Sequence, residues 1–409
     1  MAGISTKGPS ERYLDVKRAF VEVYPFLLLC TMLDFVGGYF LGKSFDRLMK
    51  KYPLVLLILP SIMGLRGNVF GASASRISTA LHVGYASPKL RDPYILFNHY
   101  LSIAITNLPI VFLIVISLMK LGVGRSSLAS VIIVITSSLV ISYVLSSIAV
   151  YITVGAYRRG LDPDNIIGPM ITTVADVITI PSIVFFMYLY EISPKVSIAL
   201  FLLSLVLFTW VSRNMLNILR KEELSRERKL FKEIVYVLSV LAMVSLGSGS
   251  LLEGFSRIIH NSYIVAVIYP VILDSLGNYG SVIGARASTQ YHLGLLRSPL
   301  EKESLKEVLS LFSTGFVNSV MILMIGAVIS HVIYGITPVL SLGFILIFIA
   351  TYGLVALGVM ILAVVISYYS GAFGWDPDNL TIPLITTLAD LIGSSYAVLL
   401  SMITVKFFV

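Results

Sequence analysis

The sequence predicts an all-α polytopic membrane protein: two parallel five-helix repeats joined by one linking helix, about eleven spans in all. Three observations carry this. Of 409 residues, 57% are hydrophobic and only 13% are charged, against about 25% charged in a soluble globular chain. The apolar residues fall into runs near 20 residues long, which suits a hydrocarbon core of about 30 Å. Two long motifs each occur twice, in the same order.

In order, spans are expected near 20–42, 53–84, 95–119, 127–155, 166–190, 196–216, 234–255, 262–292, 307–333, 338–369 and 380–404. The second and eighth are long and carry Gly-Asn pairs that should interrupt them. Residues 1–19 are polar and charged and read as a cytoplasmic segment with no cleavable signal before the first span. A first repeat fills 20–192, a linking helix and cytoplasmic linker fill 193–233, and a second repeat fills 234–409. The stretch RNMLNILRKEELSRERKLFK (213–232) mixes both signs and marks the boundary. The single cysteine, Cys30, excludes an internal disulfide. The net charge of +8 does not point to nucleic acid, because the basic residues lie in membrane loops. There they divide 18 to 9 in favour of the side holding the N-terminus. That places the N-terminus in the cytosol of a cell-membrane protein and the C-terminus outside.

The repeat is the most informative feature. LPSIMGLRGNVFGASASRISTALHVG (59–84) recurs as YPVILDSLGNYGSVIGARASTQYHLG (269–294). Pro60, Gly67, Asn68, Arg76, Ser78, Thr79, His82 and Gly84 return 210 residues later as Pro270, Gly277, Asn278, Arg286, Ser288, Thr289, His292 and Gly294. DPDNIIGPMITTVADVI (162–178) returns as DPDNLTIPLITTLADLI (376–392), offset by 214. Each repeat holds an odd number of spans, and the extra span returns the chain across the bilayer. The repeats are then parallel, related by a pseudo-two-fold axis along the membrane normal. Equivalent residues should face a shared path, and a monomer should suffice.

Asp176 and Asp390 sit in identical Thr-Thr-x-x-Asp contexts, inside the hydrocarbon zone. A charged aspartate there costs about 2.5–3.5 kcal/mol on insertion scales, so two at matching positions suggest a cation site. Thr172, Thr173, Thr386 and Thr387 precede them by four or three residues, on the same helical face. These hydroxyls could bond an ion's water shell or their own helix backbone. Asn68 and Asn278 add amide oxygens. Mg²⁺ prefers six oxygens at about 2.0–2.1 Å and sheds water reluctantly. Carboxylates with neutral oxygens therefore suit a largely hydrated magnesium ion. Asp162, Asp164, Asp376 and Asp378 read first as helix caps, and could also form a cytoplasmic vestibule. Asp34 and Asp274 have no acidic counterpart in the other repeat and are candidates for ion or proton coupling. Arg76 and Arg286 read as structural, and His82 and His292 as interfacial caps. The alternative for Asp176 and Asp390 is a helix-stapling pair with Arg76 or Arg286.

The pattern Gly-Asn, Ala-Ser-Arg-x-Ser-Thr, Asp-Pro-Asp-Asn, proline and Thr-Thr-x-x-Asp resembles the transmembrane domain of MgtE-type magnesium transporters. It is still more similar to their tandem-duplicated solute carrier 41 relatives. The resemblance covers roughly 20–190 and 234–404. It implies a divalent cation carrier with Mg²⁺ as the transported ion, no catalytic cofactor, and a link to Na⁺. It departs from the bacterial proteins in having no segment long enough for their cytosolic magnesium-sensing domains, so gating of that kind is not expected. Two alternatives remain from the residues. One is a sodium- or proton-coupled exchanger for Mn²⁺, Co²⁺ or Ca²⁺. The other, from a different class, is an intramembrane aspartyl protease. The Tyr-Asp and Gly-x-Gly-Asp contexts of such proteases do not frame Asp176 and Asp390, and no Gly-x-Ser-x-Gly or His-Glu-x-x-His occurs. An enzyme is not expected.

Overall fold

The computed structural model describes residues 16–82, 84–159, 167–219, 225–292, 294–335, 342–375 and 377–407. Among the described residues there are twelve helices and no strand. In chain order they are α1 (Val16–Lys51), α2 (Pro53–His82), α3 (Pro93–Leu121), α4 (Arg125–Arg158), α5 (Ile167–Ile192) and α6 (Pro194–Leu219). They continue with α7 (Ser225–Gly254), α8 (Ser256–Asn261), α9 (Ile264–His292), α10 (Lys302–Tyr334), α11 (Leu342–Ala372) and α12 (Pro377–Phe407). All except the six-residue α8 are long and apolar enough to cross a membrane. The eleven spans expected from hydropathy are therefore present.

Local chemistry explains where the helices end. Asp92 caps α3: its carboxylate accepts from the Tyr94 and Ile95 backbone N–H groups, with Pro93 at the first helical position. The Ser87 N–H and hydroxyl donate to its other oxygen at 2.9 and 2.8 Å. Burial alone would raise the Asp92 pKa, but these four donors outweigh it and hold the carboxyl below its ordinary value. The α2 and α9 ends are closed by the same turn. Gly84 (φ 75°) and Gly294 (φ 69°) take the left-handed conformation. Gly84 N–H bonds the Leu81 carbonyl and Tyr85 N–H bonds that of Ala80; Gly294 bonds Tyr291 and Leu295 bonds Gln290. This is the Schellman pattern, and it repeats at the offset of 210 found in the sequence.

Two expectations are corrected. The first helix continues past residue 42 to Lys51. Its polar end is held by an Asp46–Lys50 pair one turn apart at 2.9 Å, and by Arg47 and Lys51 on Glu191 at 3.0 and 2.9 Å. The Gly-Asn pairs do not break their helices: α2 and α9 run unbroken through Gly67–Asn68 and Gly277–Asn278. An i→i−4 bond from Asn278 Nδ2 to Asp274 Oδ2 at 2.7 Å keeps the amide on its own helix. A Cβ at Gly277 would sit 3.9 Å from Thr386, so this glycine faces a neighbouring helix rather than a gap.

The chain forms two compact units, Val36–Asn261, and Met1–Phe35 with Ser262–Val409. In the first-half unit α2 is the central helix, packed by α3, α4, α5 and α7. Its residues Leu54 to Leu59 are each at most 1% exposed, so it is apolar all round. In the second-half unit α9 plays that part, packed by α10, α11 and α12. The unit boundary falls within α1. Thr31, on the N-terminal part of α1, accepts from Asn318 Nδ2 of α10 at 3.0 Å. Conversely α7, the opening span of the second repeat, packs on α2 of the first, with Gly249 against the Leu57 carbonyl. Thus α7 packs with helices of the first repeat, and α1 divides: its part up to Phe35 joins the second-half unit, while its later part packs on α5 of its own repeat. The linking helix α6 has only 17% of its apolar window buried and lines the outside of its unit.

Candidate cation site

Each half brings its intramembrane aspartate to the central helix of its own unit. In the first half Asp176 lies on α5, nine residues after Ile167 and about 13 Å along the helix. It is partly exposed, as a carboxylate serving a mobile ligand must be. In the second half α12 begins at Pro377, and Asp390 lies about 20 Å along it. Asp390 is also partly exposed.

The surroundings of the two aspartates differ. Asp176 lies in the electrostatic field of Arg66 on α2. Arg66 is fully buried, and its Nη1 donates to Thr179 Oγ1 on α5 at 2.8 Å. Thr179 in turn donates to the Ala175 carbonyl at 2.6 Å. Among the described residues, Arg66 Nε and Nη2 have no hydrogen-bond partner. Asp390 instead lies in the field of Asp274 on α9, the carboxylate that Asn278 holds. The place corresponding to Arg66 is Leu276, and that corresponding to Thr179 is Gly393. A Cβ at Gly393 would meet Leu276 at 3.4 Å and Leu273 at 3.2 Å. One helix contact is therefore built from Arg and Thr in the first half, and from Leu and Gly in the second.

The remaining expected residues fall as follows. Thr386 donates to the Ile382 and Pro383 carbonyls at 3.0 and 3.1 Å, and Thr387 to Pro383 at 2.9 Å. The hydroxyl protons go to the helix, so the oxygens that remain are acceptors, which suits water whose hydrogens point away from a cation. Thr173 is buried, and Asn68 and Asn278 are partly exposed. Asp34 is buried on α1, in the second-half unit. The Thr172 and Asp378 side chains, and Asp162, Asp164 and Asp376, lie outside the described residues, as does the side chain of His82. His292 is exposed in the last turn of α9. Arg76 Nε donates to Asn98 Oδ1 on α3 at 3.0 Å, and Arg286 forms a bidentate pair with Glu307 on α10 at 2.9 and 3.2 Å. Both arginines tie the central helix of their unit to the next helix.

Arg66 was not among the residues the motifs single out. The available signal was its lack of a partner: Arg76 recurs as Arg286, whereas Arg66 faces Leu276 across the repeat.

The model of the MgtE family, described as a divalent cation transporter, matches residues 59–187 and 269–400. The chain belongs to the MgtE family. The two matched stretches hold both copies of each repeated motif, so the family model meets the chain once in each half. The mouse protein "Solute carrier family 41 member 3" is 26% identical over 413 residues, covering 96% of this chain and 83% of its own length. The human "Solute carrier family 41 member 2" is 24% identical over 378 residues, covering 85% of this chain. The match spans 64% of the human protein's length. No solved structure matches. As an MgtE-family member this is a multi-pass divalent cation transporter and not an enzyme, and the protease alternative falls with that assignment.

Proposed function

We propose that this MgtE-family protein carries Mg²⁺, largely hydrated, across the cell membrane past Asp176 and Asp390. The observation that carries the reading is the pair itself: two partly exposed carboxylates at membrane depth, at repeat-equivalent positions, one beside the central helix of each unit. A partly exposed carboxylate at that depth is expensive unless it serves a cation. Thr172, Thr173, Thr386, Thr387, Asn68 and Asn278 supply neutral oxygens for the water shell. Asp162, Asp164, Asp376 and Asp378 gather ions at the cytoplasmic mouth, with the N-terminus inside and the C-terminus outside. One chain suffices, because the duplication supplies the second half.

A coupled carrier is the second reading, with Na⁺ or H⁺ exchanged against the divalent ion, which could then be Mn²⁺, Co²⁺ or Ca²⁺. Asp274 and Asp34 favour it, because they add acidic groups to one unit without counterparts in the other. Purified protein in liposomes tests both readings. Mg²⁺ uptake should exceed that of empty liposomes and of the Asp390→Asn variant, and dependence on an imposed Na⁺ or pH gradient identifies coupling. Uptake equal to that of empty liposomes in every condition contradicts both.

A further inference from the structure

We propose that Arg66 is a built-in counter-cation that makes the two halves unequal. It compensates Asp176 in the first half, and leaves tight divalent-ion binding to the second. This rests on the reading of Asp176 and Asp390 as cation ligands.

The argument begins with the repeat. Residues 64, 66, 176 and 179 correspond to 274, 276, 390 and 393. The first set reads Gly64, Arg66, Asp176 and Thr179; the second reads Asp274, Leu276, Asp390 and Gly393. One half therefore sets a cation against its aspartate, and the other adds a second carboxylate. Both additions come from the central helix of the unit, two residues apart in register.

Packing alone does not call for the arginine. Leu276 seats the equivalent contact against Gly393 with no polar group. Arg66 is fully buried, yet among the described residues only Nη1 is bonded, and Nε and Nη2 are unused. A buried guanidinium with idle donors is costly, so its retention needs an anion. Asp176 stands on α5 three residues, about one helical turn, before the Thr179 that Arg66 bonds, which makes it the carboxylate placed to answer this charge.

The consequences are chemical. A guanidinium does not give up its proton, so Arg66 is a permanent, tethered competitor for any ion approaching Asp176. In the second half the equivalent position holds Leu276, which carries no charge to compete. Asp274, fixed by Asn278 at 2.7 Å, is set toward Asp390 by the contacts on either side of the pair, Gly277 with Thr386 and Gly393 with Leu273. Two carboxylates in one low-dielectric region repel until a cation or a proton is shared between them. The chain then binds one divalent ion tightly, in its second half.

Mn²⁺ titration of the purified full-length protein, followed by electron paramagnetic resonance, tests this without a flux assay. Wild type should bind one tight Mn²⁺ per chain. Asp274→Gly, which copies the first half, should lose it. Arg66→Leu, which copies the second half, should gain affinity of about tenfold or more, or a second bound ion, since removing a nearby positive charge strengthens cation binding. Arg66→Lys should resemble wild type. An arginine that serves packing alone, away from the ion, leaves the isotherm unchanged on removal. Arg66→Gln, which keeps a donor for Thr179, reads the same quantity if the leucine variant does not fold. Folded Arg66→Leu or Arg66→Gln protein with a wild-type isotherm overturns the proposal. So does failure of both to fold while Arg66→Lys folds, because packing then explains the arginine. If Asp390→Asn leaves Mn²⁺ binding intact, the reading of the aspartates fails first and this inference goes with it.

Discussion

Arg66 Nη1 donates to Thr179 Oγ1 at 2.8 Å, joining the central helix α2 to α5 three residues beyond Asp176. The corresponding residues of the second half, Leu276 and Gly393, meet by apolar contact. The same fold position thus carries a charge in one half and none in the other, and this separates the consequences of mutating the two aspartates.

Asp176→Asn should destabilise the protein and Asp390→Asn should not. Asn at 176 removes the charge that compensates a buried guanidinium, at a cost of about 1–3 kcal/mol. Asn at 390 removes a repulsion with Asp274 and should leave the melting temperature unchanged or raised. Thermal unfolding of the two variants side by side in detergent checks the contrast. Equal melting temperatures would mean that Arg66 does not depend on Asp176.

Gly249→Ala should be among the most damaging small substitutions in the chain. Its added Cβ would overlap the Leu57 carbonyl, which belongs to the backbone of α2 and cannot swing aside. Overpacking of this kind costs about 1–3 kcal/mol or more. Gly358→Ala, where a Cβ meets nothing within 4 Å, is the matched control. The melting temperature should fall for the first and hold for the second.

Asp92→Ala should weaken the start of α3 by about 1 kcal/mol. The folded-state pKa of Asp92 lies below its ordinary value of 3.8. Its stabilisation is therefore present at neutral pH and is lost only as the pH falls below about 4, through the folded pKa. Wild type should lose a small stability increment over that acid window. The Ala variant should lack the increment at pH 7 and show a flatter acid limb in a pH series of unfolding curves.

Much of this architecture was legible in the sequence because the bilayer imposes a simple rule. Runs of about 20 apolar residues must be helices, since no water is present to satisfy a backbone left open. Eleven such runs gave eleven spans. The recurrence of Gly84 as Gly294 was visible in the sequence, and the structure adds that each closes its helix in a left-handed cap that favours glycine. The Gly-Asn pairs misled because glycine has two uses inside a membrane. It can break a helix, or it can let another helix approach, and the Gly277–Thr386 contact is of the second kind. Arg66 escaped notice because a search for repeated residues passes over the one that does not repeat. The placement of α7, and of α1 up to Phe35, in the opposite halves' units was also hidden, since hydropathy records that a helix is buried but not by what.

The most direct test of the central claim is Mg²⁺ flux into liposomes by Asp390→Asn, measured together with its melting temperature. Replacing the carboxylate keeps shape and hydrogen bonding and removes one charge from a poorly screened region. Flux should fall about tenfold or more while the protein melts at or above the wild-type temperature. Wild-type flux from a folded Asp390→Asn protein would contradict a transport path built on the intramembrane aspartates.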